Sequence, residues 1–407
     1  MYFIILLMAF LTLFSCEKTS NAPEGYDPAT YAKAEKIAHA DIIVDTHIDV
    51  PEQLLQKMED IGQSTIEGEL DYPRAKKGGL DAPFMSIYIP AKYQKTPGAS
   101  KKHAEHLIAM MDSIITKNPD KFAHAYSAKQ VEDNFKKGLI SMPYGMENGS
   151  GFEDDLANVD YFYKKGIRYA TLTHSKMNLI CDSSYDDNKG WNGLSPFGRN
   201  VVSEMNRVGI MVDISHVSDS TFYQVLRLSK APVICSHSSL RHFTPGFERN
   251  VSDDMLQKLA EKGGVLQMNF GSSFLTAEAN KYSDKYYAHQ ESFMKENGID
   301  DDNDPKLKEE MDRYEKESPF PYATVENVAD HIEYAAKLVG IDHVGLGSDF
   351  DGLGDTLPKD LKSVADYPKL IYVLLKRGYS EKDIQKVLGG NILRVWKAVE
   401  DFAAKHS

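Results

Sequence analysis

The sequence predicts an α/β fold closed into a (β/α)8, or TIM, barrel. Eight short apolar or β-branched runs are separated by longer stretches of helical character, the alternation that builds a parallel sheet. Each run ends in polar residues, as barrel strands do where they open onto loops. A doubly wound open sheet is the alternative, but its glycine-rich nucleotide turn is absent after the first run, Ile42 to Asp49. With 407 residues, 42% of them hydrophobic, the chain can bury a core without disulfides or bound metal. Length alone also permits two domains, and the strand spacing favours one barrel.

Taken in order, residues 1–15 read as a signal peptide. The apolar run from Ile4 to Ser15 is shorter than the span of about 20 residues that crosses a bilayer. Leu13-Phe14-Ser15-Cys16 resembles a bacterial lipobox, in which a small residue precedes the cysteine that becomes the lipidated N-terminus. That reading stands ahead of an ordinary cleaved signal and of an uncleaved anchor. Residues 16–28 then form a lipidated tether and residues 29–407 a single barrel domain. The expected product is an exported bacterial lipoprotein, held to the lipid bilayer by N-terminal acyl chains. Cys181 and Cys235 either pair after export or stay as buried, inert thiols.

Thr30 to Ala40 reads as a short helix. Strands are expected at Ile42 to Asp49, Leu80 to Ile89, Gly138 to Glu147, Arg168 to His174, Gly209 to His216, Val233 to His237, Val265 to Phe270 and His343 to Asp349. Val202, Met205 and Val208 share one face of a helix from Val201 to Val208. Pro368 to Arg377 is helical too, with proline in the first turn and Gly378 positioned to end it. Glu278 to Pro319 is the least regular part, a charged insertion around 278–319 between the last two strands. It reads as a solvated excursion, with a lid over a pocket as the alternative.

A net charge of -13, from 60 acidic against 47 basic residues and with no long basic tract, argues against nonspecific nucleic-acid binding.

The chemistry gathers at strand ends. In Asp45-Thr46-His47-Ile48-Asp49, alternation in a strand points His47 and Asp49 the same way, so the two can hold one ion. His174, His216 and His237 each follow an apolar run, and a barrel brings such ends together. Glu147 adds a carboxylate whose two oxygens can bridge two cations and leave room for a bridging hydroxide. Asp349 closes the pattern at the last strand as a group that accepts or delivers a proton. Imidazole and carboxylate ligands suit zinc without excluding manganese, cobalt or iron.

These motifs, with Gly193-Leu194-Ser195-Pro196-Phe197-Gly198 and Gly347-Ser348-Asp349-Phe350-Asp351-Gly352, resemble the renal or membrane dipeptidase family, the M19 metallopeptidases, over roughly Ala40 to Glu400. The resemblance implies a barrel of the metal-dependent hydrolase type with two zinc ions. It assigns His47, Asp49 and bridging Glu147 to one ion and His216, His237 and the same Glu147 to the other. It places His174 near the scissile carbonyl to stabilise the oxyanion, Arg249 against the substrate's terminal carboxylate, and Asp349 as the proton shuttle. The implied reaction is hydrolysis of dipeptides, with tolerance for a C-terminal D-amino acid. Dimerisation is common in that family, so a homodimer is one expected assembly.

Packing for His174, a surface ion pair for Arg249 and a turn cap for Asp349 are the structural alternatives. Met268-Asn269-Phe270-Gly271-Ser272-Ser273-Phe274 lacks the tyrosines that follow the Asn-Phe pair in mammalian relatives, so a substrate-binding hydroxyl is either absent or supplied from elsewhere. A related exported amidohydrolase acting on a cyclic amide, acylated amino acid or lactam is the competing enzyme class. A solute-binding lipoprotein is the noncatalytic one.

Overall fold

The computed structural model describes residues 22–301 and 303–406. The expected signal peptide and Cys16 therefore lie outside the described residues.

Eight parallel strands close into a barrel: β1 Ile43–Ile48, β2 Leu80–Tyr88, β3 Tyr144–Glu147, β4 Ile167–Thr171, β5 Met211–Asp213, β6 Val233–Ser238, β7 Val265–Met268 and β8 Val344–Leu346. Each strand pairs with its sequence neighbours, and β8 returns to β1 through Asp45 opposite Leu346. All eight expected runs supply barrel strands. The run from Gly138 to Glu147 divides in two, because Pro143 carries no N–H for a ladder. Its first part, Ile140–Ser141, pairs with Phe122–Ala123 in a separate two-stranded sheet.

Helix α1, Pro28–Ala40, starts where Asp27 accepts the N–H of Thr30 at 2.8 Å. Helix α2, Val50–Gln56, follows β1 directly, and the carbonyl of Asp49 accepts the N–H groups of Glu52 and Gln53 at 3.0 and 3.1 Å. Helix α3, Pro196–Val208, combines a Ser195 cap on Gly198 N–H, proline in the first turn and left-handed Gly209 at its end. The charged insertion folds into α4, Ala277–Asn297, and α5, Pro305–Glu317, so the stretch is more regular than its composition suggests. Gly298 ends α4 at φ +64. Helix α6, Tyr367–Lys376, and helix α7, Asn391–His406, complete the wall.

Two apolar clusters hold the layers. The larger lies mainly between the strands and the surrounding helices. The smaller gathers Val44, Phe84, Tyr169 and Ile234 around Trp396 of α7. Within it the rings of Trp396 and Phe84 lie 5.2 Å apart and those of Phe84 and Tyr169 5.4 Å apart. A buried aromatic column thus runs from the C-terminal helix to Tyr169. Cys181 and Cys235 are both free and buried, and burial pushes both thiols up.

Candidate active site

The strand ends converge on Glu147, the last residue of β3, which is 4% exposed. Its two oxygens face different partners. Oε1 lies 3.1 Å from Nε2 of His216 and 3.2 Å from Nε2 of His237. Oε2 lies 3.5 Å from Nε2 of His47, which is 3.4 Å from Oδ2 of Asp49. Nε2 of His47 is buried and has no hydrogen-bond partner among the described residues.

Donors bound tetrahedrally at 2.0–2.1 Å stand about 3.3 Å apart. The spacings around each Glu147 oxygen match that edge, apart from a closer 2.8 Å between the Nε2 atoms of His216 and His237. A buried nitrogen aimed at two carboxylates, with a second imidazole pair on the other oxygen, fits two borderline cations sharing Glu147.

The charge states agree with that fit. Burial alone would raise Glu147, but His47, His174, His216 and His237 hold it well below the usual carboxylate range. Burial, with Arg249 adding to it, keeps His216 and His237 well below the usual imidazole range, so both are neutral donors. His47 goes the other way: burial opposes its charge, yet Tyr169, Glu147 and Asp49 together lift it. The same surroundings that favour a proton on Nε2 favour a metal cation there.

Buried partners fix the rings. Tyr169 Oη is 2.7 Å from Nδ1 of His47. Nδ1 of His237 is 2.7 Å from Ser236 Oγ, which donates to Asp213 at 2.6 Å. Sequence reasoning passed over Tyr169, but a signal existed. Gly145 stands opposite Tyr169 in the β3–β4 register, and a Cβ at Gly145 would fall 2.0 Å from the tyrosine ring. A glycine inside a strand marks such a close approach.

Two site residues occupy left-handed backbone, His216 at φ +64 and Asp349 at φ +66. Residues other than glycine hold such angles only where their surroundings impose them. The N–H of Ser184 donates to His216 O at 2.8 Å, and the N–H of Asp349 donates to His47 O at 3.0 Å. Gly352 is required nearby, since its Cβ would fall 2.2 Å from Asp49 Oδ2 and 2.9 Å from Asp349 Oδ1.

Asp349 accepts a hydrogen bond from Asn269 at 2.7 Å. Burial first, then the charges of Asp49 and Glu147, push its carboxyl up to about 7. His174 sits in the loop past β4, with Nε2 3.6 Å from Glu147 Oε1, and burial lowers it, leaving it neutral.

Arg249 is only 3% exposed. It donates to the carbonyl of His237 at 2.7 Å and to Ser238 Oγ at 2.6 Å, while its Nε has no hydrogen-bond partner among the described residues. Its guanidinium carbon stands 5.3 Å from the centroid of the Phe274 ring.

Above the cluster opens a cavity of about 690 Å³. Its hydroxyl-bearing rings are Tyr88, Tyr185 and Tyr287, from three different elements, and α4 contributes Asn280, Ser283, Asp284 and Tyr287. Their 280, 283, 284, 287 spacing is one face of a helix. The segment after Asn269 supplies Ser273 and Phe274 to the wall.

A family model described as "Membrane dipeptidase (Peptidase family M19)" matches residues 31–407. The chain is 34% identical to dipeptidase aclJ of Aspergillus oryzae over 344 residues, 83% of this chain and 72% of that protein. It is 32% identical to dipeptidase tcpJ of Claviceps purpurea over 345 residues, 83% and 71% of the two chains. The crystal structure of the probable dipeptidase PvdM from Pseudomonas aeruginosa superposes with a TM-score of 0.81 at 26% identity, covering 93% of this chain and all, 100%, of the other.

Proposed function

The chain belongs to the membrane dipeptidase family, peptidase family M19, and from that premise we propose that it is a zinc-dependent enzyme that hydrolyses the peptide bond of dipeptides and tolerates a C-terminal D-amino acid. The observation that carries this reading is the division of Glu147, one oxygen toward His47 and the other toward His216 and His237.

His47, Asp49 and Glu147 would hold one ion, and Glu147, His216 and His237 the other. When bound, such a pair acts as a Lewis acid and brings the pKa of water from 15.7 to about 7. Asp349 receives the proton that the attacking water gives up and delivers it to the departing amine. Its Oδ1 stands 3.8 Å from His47 Nε2 and its Oδ2 accepts from Asn269, which hold the carboxyl beside the cluster for both transfers. Neutral His174 stabilises negative charge developing on the carbonyl oxygen. Arg249 recognises the free terminal carboxylate, which restricts substrates to very short peptides.

Metal analysis of the purified protein, paired with rates on L-Ala-D-Ala, L-Ala-L-Ala and their C-terminal amides, tests the proposal. Two bound metals with rapid cleavage of the free dipeptides support it. Equal rates on the amides point instead to a broader amidohydrolase, and binding without turnover to a solute-binding protein.

For the rest of the chain we propose a signal peptide over residues 1–15, a tether over 16–28 lipidated at Cys16, and one barrel domain over 29–407 with α4 and α5 as its insertion. Among the described residues no helix is long and apolar enough to cross a membrane. Intact mass of the membrane-extracted protein tests the lipid: an acylated Cys16 terminus supports export as a lipoprotein, and an unmodified Met1 terminus rejects it.

A further inference from the structure

The cavity holds a carboxylate that the proposed chemistry leaves unused. Glu52, in the first turn of α2, lines it beside Asp49 and Tyr88. Among the described residues its Oε2 is buried without a hydrogen-bond partner, and its Oε1 accepts only a long 3.4 Å bond from Gln56. A buried carboxylate oxygen with no donor is costly, and a cationic donor is the group that relieves it most.

The surroundings sharpen that requirement. Among the described residues, and apart from histidines, Lys176 is the one basic side chain lining the cavity, and it is directed at Asp186, 3.4 Å away. Asp284 and Asp351 line the same space. Asp351 is occupied by the N–H groups of Glu69 and Leu70, at 2.7 and 3.2 Å. Burial and the negative charges of Glu147, Glu52 and Asp49 all raise the Tyr88 phenol, which places Glu52 in the same field as the metal-site carboxylates.

Position selects the end of the substrate. In the ring of eight strands β2 is diametrically opposite β6. Tyr88, beside Glu52, ends β2, whereas Arg249 is tied to His237 and Ser238 of β6. A dipeptide whose carboxylate is recognised at the β6 side extends its N-terminal residue toward β2.

Building on the dipeptidase reading, we propose that Glu52 is a specificity-determining residue that accepts an ammonium group carried by the substrate's N-terminal residue, favouring dipeptides that begin with a basic side chain. The α-ammonium offers the same chemistry, and substrates separate the two sources. Kinetics are measured on metal-loaded wild type, Glu52→Gln and Glu52→Asp with lysyl-alanine and norleucyl-alanine, which differ in the terminal ammonium.

Wild type favours lysyl-alanine by about tenfold in kcat/KM, the worth of one charge-assisted contact. Glu52→Gln removes that preference through KM, and Glu52→Asp restores part of it. If the α-ammonium is the group received, Glu52→Gln raises KM for both peptides alike and leaves inhibition by their N-acetyl forms unchanged.

Unchanged KM for both peptides overturns the assignment, as does a fall in kcat on both that tracks metal content. Glu52 is then only the acidic first-turn residue that favours a helix N-terminus. Wild-type protein that cleaves no dipeptide at all sinks the dipeptidase reading, a result distinct from insensitivity at Glu52 alone.

Discussion

Tyr169 Oη stands 2.7 Å from Nδ1 of His47, and the tyrosine ring occupies space that Gly145 leaves open. One hydrogen bond therefore aims Nε2 of His47 at Asp49 and Glu147. Outer contacts of this kind typically change metal affinity or activity 10–100-fold. Tyr169→Phe is expected to lower zinc affinity by about tenfold or more, read by chelator competition with folding monitored separately. Gly145→Ala should reproduce the effect by displacing the ring, and native affinity in both variants would refute the coupling.

Glu147→Ala removes the carboxylate shared by both imidazole sets. Metal content should fall below two per chain, and turnover on L-Ala-D-Ala should drop by about three orders of magnitude or more, as expected when an electrostatic centre is lost. Elemental analysis and initial rates check both parts. Full metal content with normal turnover would remove the basis of the proposed function.

Arg249 should respond differently. Arg249→Lys keeps the charge but loses the fork that grips the His237 carbonyl and Ser238. KM for free dipeptides should rise by about tenfold or more, while rates on C-terminal amides change little. Equal losses on both substrate types would identify Arg249 as a support for β6 rather than a carboxylate receptor.

His331 links pH to stability away from the site. Buried in the helix Val325–Val339, it accepts the N–H of Leu240 at 3.1 Å through Nδ1 and donates from Nε2 to Leu275 O at 3.0 Å. Burial lowers it from 6.5 to about 4. The unfolded chain takes up this proton near pH 6.5 and the folded chain only near 4, so stability declines as pH falls through that interval. The loss amounts to about 3 kcal/mol at the acid end. His331→Gln should flatten this part of the profile in denaturant titrations at pH 7 and 4.5.

Asp81 has the opposite slope. It accepts the N–H of Ile43 at 3.0 Å, and burial raises it from 3.8 to about 7. The folded form keeps its proton where the unfolded chain has lost it, so stability declines as pH rises from about 4 toward 7. Asp81→Asn should stabilise the protein at pH 8 and leave it unchanged near pH 3.5. Equal thermal midpoints for the two proteins at pH 8 would contradict this.

The barrel was legible because its strands are continuous apolar runs, buried on both faces, and because polar residues mark their open ends. Boundaries were less so. The apolar runs point to strands that continue to His174 and His216, whereas the strands stop at Thr171 and Asp213 and both histidines sit in the loops beyond, held by contacts from other elements. Nothing in the residue identity of His216 or Asp349 announces a left-handed backbone. The same holds for Arg249, whose burial depends on β6. Asp213 and Ser236, which orient His237, have short polar side chains that sequence alone cannot tell from ordinary strand-end residues.

The helical insertion contributes one flank of the cavity, while the metal-site side chains belong to the barrel strands and the loops at their ends. Diversifying Asn280, Ser283, Asp284 and Tyr287 in a combinatorial library should therefore redirect peptide preference without erasing hydrolysis. That separation makes the outer helix a natural starting point for retargeting the enzyme.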